Sequence, residues 1–130
     1  MTEHIIPLLK NKKRVRLSFS KLTEELEKSL GIEYINESDR ALFKELCFII
    51  CEMLLKDPES VIKIDGEDIS AGRVSEIYLM LERYNLECVM ERYKKITYDV
   101  HRRKSYLRSA LYNSVFESES GLINDVNSNY

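Results

Sequence analysis

Apolar positions fall into separate blocks along the chain, most of them with helical spacing. Leu22, Leu26 and Leu30 recur every four residues behind Ser18 and Ser20, either of which can cap the first free N–H groups of a helix. Gly31 follows, where a helix commonly ends on a left-handed residue. In the next block Leu42, Leu46, Ile49, Ile50 and Met53 form one stripe, and Phe43, Cys47 and Leu54 widen it. Only a narrow polar strip around Glu45 and Glu52 is left, so the pattern predicts a central, most buried helix. It begins after Asn36 or Ser38, reaches about Leu55 and stops at Asp57-Pro58.

The period then shortens. Val61 to Ile69 holds two short apolar segments joined by Asp65-Gly66, a pair suited to a two-residue hairpin turn. Ser70 caps a third predicted helix carrying Val74, Ile77, Tyr78 and Leu81. Asn85 restarts the chain as a fourth, with Leu86, Val89, Met90 and Tyr93 inward and Glu91 pairing with Lys95 on its wet side. A fifth runs from about Arg102 to Phe116, with Leu107, Ala110, Leu111 and Ser114 on the core face. The expected organisation is a basic arm over 1–17, a helical domain over 18–116 with a hairpin near 61–69, and a loosely ordered polar tail over 117–130. The fold class is mainly α, about five helices around one core with a small β-hairpin.

Composition supports this and narrows the function. With 130 residues, 44% hydrophobic and 32% charged, the chain has the length and balance of one globular domain. Two Pro, four Gly and no Trp disfavour a turn-rich β architecture. The longest apolar segment, Ala41 to Leu55, is interrupted by Lys44, Glu45 and Glu52, so no membrane span is expected. The start, Met1-Thr2-Glu3-His4, does not read as a secretory signal, and three cysteines at no framework spacing read as reduced thiols, which together predict a cytoplasmic protein.

Catalytic patterns do not assemble. There is no glycine-rich phosphate loop and no nucleophile elbow, and the only histidines are His4 and His101. Cys47 and Cys51, four apart on one helix face, could form half a metal site, but no second pair completes it, and buried thiols behave as small hydrophobes. Asp65, Glu67 and Asp68 resemble the start of a calcium loop without its later ligands. The expectation is no catalytic residue, no metal and no cofactor.

Two basic clusters remain. Lys10, Lys12, Lys13, Arg14 and Arg16 lie in the arm, either as a solvated tail or as a nucleic-acid contact. The second is His101-Arg102-Arg103-Lys104 with Arg108. Cations in the first turn of a helix oppose its macrodipole by about 0.3–1 kcal/mol each, so stability alone would not place them there. Lys104, Arg108 and Tyr112 form one stripe, and Arg102, Tyr106 and Ser109 a neighbouring one. Basic and aromatic residues interleaved in this way suit phosphate or an acidic protein partner; the alternative is a solvated face whose long stems cover apolar surface. The net charge of −2 leaves any DNA contact to these local clusters.

Several segments together resemble a known family. They are Ile62-Lys63-Ile64-Asp65-Gly66-Glu67-Asp68-Ile69, Tyr84-Asn85-Leu86-Glu87-Cys88-Val89-Met90-Glu91-Arg92, Lys104-Ser105-Tyr106-Leu107-Arg108-Ser109-Ala110-Leu111-Tyr112-Asn113 and Leu122-Ile123-Asn124-Asp125-Val126-Asn127. The pattern resembles the C-terminal domain of the replication initiator A (RepA) proteins of Gram-positive plasmids and related mobile elements, over roughly Asn36 to Asn127. Its most specific part is the Tyr-Leu-x-x-Ala-Leu-Tyr-Asn element.

The resemblance implies a DnaD-like helical domain that recruits host primosome proteins, such as primase or a helicase loader, to an origin. It supplies no catalytic residues. The family's separate winged-helix domain, which reads origin repeats, has no counterpart ahead of the first helix, so sequence-specific origin binding does not carry over. The chain reads as an excised domain or a stand-alone relative. Thr97-Tyr98-Asp99-Val100-His101 departs from the family's pattern. The residues expected to meet a protein partner or DNA are Lys12, Lys13, Arg14, Arg16, Arg102, Arg103, Lys104, Tyr106, Arg108 and Tyr112. Two other classes stay open: a stand-alone accessory DNA-binding protein of a mobile element, and an oligomerisation domain.

Overall fold

A computed structural model describes residues 19–96 and 102–128, with side chains as far as residue 117. The expected basic arm, and with it Lys12, Lys13, Arg14 and Arg16, lies outside the described residues, as does His101. The described chain is mainly helical: α1 (Phe19–Ser29), two short 3-10 turns (Ile32–Tyr34 and Glu37–Asp39), α2 (Arg40–Leu54), strands β1 (Val61–Ile64) and β2 (Glu67–Ser70), α3 (Ala71–Tyr78), α4 (Arg83–Lys94) and α5 (Arg103–Ser128). The five predicted helices and the hairpin are all present.

Local chemistry explains most boundaries. Leu22, Leu26 and Leu30 are all buried, and Gly31 follows α1 at φ +82°, left-handed as the spacing required. At this φ any side chain would be strained, whereas the nearest atom to an added Cβ, an Arg83 guanidinium nitrogen at 2.7 Å, can swing aside. The hairpin turn has both central residues at positive φ, Asp65 at 51° and Gly66 at 82°, with Ile64 paired to Glu67. That is the primed turn whose twist matches antiparallel strands. The Ser70 hydroxyl accepts from the Arg73 N–H at 3.2 Å and caps α3.

Around these, α2 is the hub. It is contacted by α1, α3, α4 and α5, and eight of its fifteen residues are buried. Phe43, Leu46 and Ile50 from α2, Tyr78 from α3, Leu86 from α4 and Leu107 and Leu111 from α5 meet in one core. The hairpin lies on α5: the Asp65 N–H donates to the Ser109 hydroxyl at 3.1 Å, and the Asn113 amide donates to the Asp65 carboxylate at 2.6 Å.

Three expectations are corrected. Helix α4 starts at Arg83, and Asn85 sits inside its first turn, buried. Its side-chain oxygen accepts from the Glu82 N–H at 2.9 Å while its NH₂ donates to the Ser114 carbonyl at 3.2 Å, so it caps from within and ties α4 to α5. Glu91 pairs with Lys94, three residues on, rather than with Lys95, because Lys94 also reaches Asp39 across the domain. Helix α5 runs on to Ser128, through the segment expected as a loose tail from Glu117. No proline stops it, and a helix already nucleated by a packed first half propagates through Ser and Asn, with Gly121 costing only about 1 kcal/mol.

Asn85→Ala removes two side-chain bonds of Asn85, leaving the Glu82 N–H without its cap acceptor and cutting the tie to the Ser114 carbonyl. The expected loss is about 2–3 kcal/mol of unfolding free energy, read by urea titration followed by circular dichroism. A variant within about 0.5 kcal/mol of the parent would show that Asn85 is not the tie between α4 and α5.

Candidate functional site: the outer face of α5

The first turn of α5 carries cations because α2 presents carboxylates to it. Glu45 and Glu52 lie two turns apart on the polar strip of α2. The Arg103 guanidinium forks onto Glu45, its Nε at 2.8 Å from Oε2 and its Nη2 at 2.5 Å from Oε1. This pairing pushes the Arg103 pKa further up. Lys104 Nζ meets Glu52 at 2.6 Å. Each cation also covers an aromatic ring, Arg103 over Tyr93 at 5.0 Å and Lys104 over Phe48 at 5.9 Å. Two members of the expected binding cluster are therefore engaged in fastening α5 to α2.

Arg102 and Arg108 are placed differently. Arg102 is exposed, and no described carboxylate pairs with it. Arg108 is half-buried; its Nε is buried without a hydrogen-bond acceptor among the described residues. The Arg108 backbone carbonyl accepts from the buried Tyr78 hydroxyl at 2.7 Å. Burial pushes the Tyr78 pKa up, and the nearby Arg108 charge opposes that rise without reversing it, so Tyr78 stays a neutral donor. The two expected aromatic anchors are half-buried: Tyr106 packs on Tyr93 with ring centroids 6.0 Å apart, and Tyr112 on Phe116 at 5.3 Å. Phe116 itself is 38% exposed. The stripe of Arg102, Tyr106 and Ser109 does share one face, but Ser109 is covered by the hairpin turn.

That turn creates a feature the sequence did not signal. On the side of α5 away from the core lies a trough of about 420 Å³. Its floor is α5 from Arg102 past Ser105, Tyr106 and Ala110 to Asn113; the Asp65-Gly66 turn forms one wall and Arg92 of α4 the other. The Arg92–Glu117 pair closes the far end, with a guanidinium nitrogen 2.7 Å from both carboxylate oxygens. Of its lining, spacing singled out the stripe of Arg102, Tyr106 and Ser109. Asp65, Arg92 and Asn113 belong to the trough through tertiary placement.

The cysteines do not join it. Cys47 and Cys51 are buried; burial raises both thiols, Cys51 to about 12 and Cys47 further, with Cys51 and Glu27 adding to the rise at Cys47 and a Thr23 hydrogen bond opposing it at Cys51. Neither is a thiolate at neutral pH, so neither is a nucleophile or a ready metal ligand. Among the described residues no group of three His, Cys, Asp or Glu side chains could hold a metal ion, and no helix is long and apolar enough to cross a membrane. Comparison with known proteins finds no matching family model, curated protein or solved structure.

The thiols offer a direct check on this packing. At pH 8 iodoacetamide should alkylate Cys88, which is partly exposed, and leave Cys47 and Cys51 unmodified until urea is added. Peptide mass spectrometry reads the positions. Labelling of Cys47 in the native protein would contradict the buried α2 seam.

Proposed function

We propose that the chain is a non-enzymatic, cytoplasmic recruitment module of plasmid or mobile-element replication, which docks a host primosome protein such as primase or a helicase loader. The observation that carries the reading is the division of the α5 cations. Arg103 and Lys104 are neutralised by Glu45 and Glu52, whereas Arg102 and Arg108 have no carboxylate partner among the described residues. Arg108 lies on, and Arg102 one residue ahead of, the helix whose Lys104–Asn113 segment resembles the RepA family most closely. Charged residues left uncompensated at a folded surface steer encounter with an oppositely charged partner.

A protein partner suits this surface better than a phosphate backbone does. Of the four described cations expected at this surface, Arg103 and Lys104 are paired within the fold, and the trough beside Arg102 includes Asp65 and Glu117. The half-buried aromatic pairs Tyr93–Tyr106 and Tyr112–Phe116 supply apolar area of the kind found at the centre of protein interfaces. The accessory DNA-binding reading rests on the arm and is separated by the same experiment.

That experiment is fluorescence anisotropy of the full chain with purified primase and helicase loader from a Gram-positive host, and with single- and double-stranded DNA at low and physiological salt. The expected result is binding to one host protein, weakened about tenfold or more, about 1.4 kcal/mol, in the double variant Arg102→Ala/Arg108→Ala. The paired variant Arg103→Ala/Lys104→Ala should change stability by less than about 1 kcal/mol, since each partly exposed ion pair contributes under about 1 kcal/mol and each cation opposes the helix dipole by a similar amount, and should leave binding within about threefold. DNA binding without a host protein, with affinity falling steeply with salt, would replace recruitment by the accessory DNA-binding reading.

A further inference from the structure

We infer that the trough on the outer face of α5 is a docking groove for a short extended segment of a partner protein, one with an acidic residue and a basic residue three to five positions apart. The inference deepens the recruitment reading and takes from it only that the partner is a protein. It rests on how charge is distributed along the trough.

Four charged side chains line it: Arg102, Asp65, Arg92 and Glu117. Arg92 and Glu117 neutralise each other through their close pair. Asp65 is held by the neutral Asn113 amide and has no cation within its hydrogen-bonding shell, so it keeps its negative charge. Arg102 keeps its positive charge at the other end. The trough is therefore positive where α5 begins and negative beside the hairpin turn. Asp65 contacts α5 at Ser109 and Asn113, seven to eleven residues beyond Arg102. At about 1.5 Å rise per residue that is about 10–17 Å along the axis. An extended peptide advances about 3.3 Å per residue, so about three to five residues bridge the two charges.

Shape and chemistry agree with that length. A volume of about 420 Å³ is at the scale of a small-ligand or short-peptide cleft, too small to hold a whole helix. The floor residues Ser105 and Ala110 are small, which lets a backbone approach α5 closely. On the turn side a Cβ built on Gly66 would meet nothing within 4 Å, so that rim is open. A nucleic-acid strand fits poorly. With one negative charge at about every 3.4 Å, it would satisfy Arg102 and then set further phosphates against Asp65. A peptide of mixed charge meets both ends.

The test is an NMR titration of the ¹⁵N-labelled full chain. The probe is an N-acetylated, C-amidated pentapeptide of sequence Glu-Ser-Ala-Ser-Lys, with Gln-Ser-Ala-Ser-Gln and pentathymidylate as comparators. Saturable shifts at the Ser105, Ser109 and Asn113 amides are expected with the charged peptide, and about tenfold weaker binding with the uncharged one. Arg102→Glu should weaken the charged peptide about tenfold and restore affinity for Lys-Ser-Ala-Ser-Lys. This variant keeps the fold, because Arg102 is exposed and a carboxylate ahead of α5 favours its dipole. Equal binding of charged and uncharged peptides, or no shift at those amides, overturns the proposal. So does stronger perturbation of the same amides by pentathymidylate, which would assign the trough to a nucleic-acid strand. If the peptides fail while a host replication protein still binds through Arg102 and Arg108, the trough is not the groove and recruitment stands.

Discussion

Helix α2 buries side chains around most of its circumference, Phe43, Leu46, Cys47, Ile49, Ile50, Cys51, Met53 and Leu54 among them, so it is stable only when other elements cover it on several sides. At about 25 cal/mol per Å² of apolar surface, covering a helix of this kind outweighs any single polar interaction in the domain. α1, α3, α4 and α5 supply the cover. Only the strip bearing Glu45 and Glu52 is left polar, and it lies where α5 starts. From this one requirement follows the least expected feature of α5, its cationic first turn.

Each of those cations costs about 0.3–1 kcal/mol against the helix dipole. The pairing of Arg103 with Glu45 and of Lys104 with Glu52 returns a similar amount, because both pairs are partly exposed. The net stability gained is small. What the pairs do fix is the rotation of α5 about its own axis, since a fork such as Arg103–Glu45 tolerates little angular error. With that rotation set, Leu107 and Leu111 face the core, Arg108 lies beside Tyr78, and Arg102 and Ser105 face outward. The hairpin adds a second fix from the opposite side through Asp65, Ser109 and Asn113. The outer face of α5 is thus set by contacts made elsewhere in the fold.

What could be read from the sequence was local. Leucines four apart ending on Gly31, the Asp65-Gly66 turn and the Ser70 cap each depend on residues within a few positions, and each appears in the structure. The errors arose where a distant group competed. Asn85 resembled a helix start because its side chain does cap, but burial against Ser114 places it within the helix. Glu91 shares Lys94 with Asp39, fifty-five residues from Lys94, a partner no spacing rule supplies. Periodicity located the cations of α5 but could not sort them, because the carboxylates that engage Arg103 and Lys104 belong to α2. The trough was hidden for the same reason. Its floor is one helix, but its walls come from a turn and from α4.

The same sorting separates binding chemistry from structural chemistry on this molecule. The Cys47 and Cys51 thiols and the Tyr78 hydroxyl are buried with their pKa values pushed up, so these three groups stay neutral near neutral pH. Charges that the fold needs are closed into pairs. Of the four charged side chains that line the trough, Arg102 and Asp65 are the two not closed into an ion pair with another described residue. An unpaired cation and an unpaired anion along one trough give that trough a charge register of its own. The docking groove proposed above would use that register, because a wrong one sets like charges together along the trough.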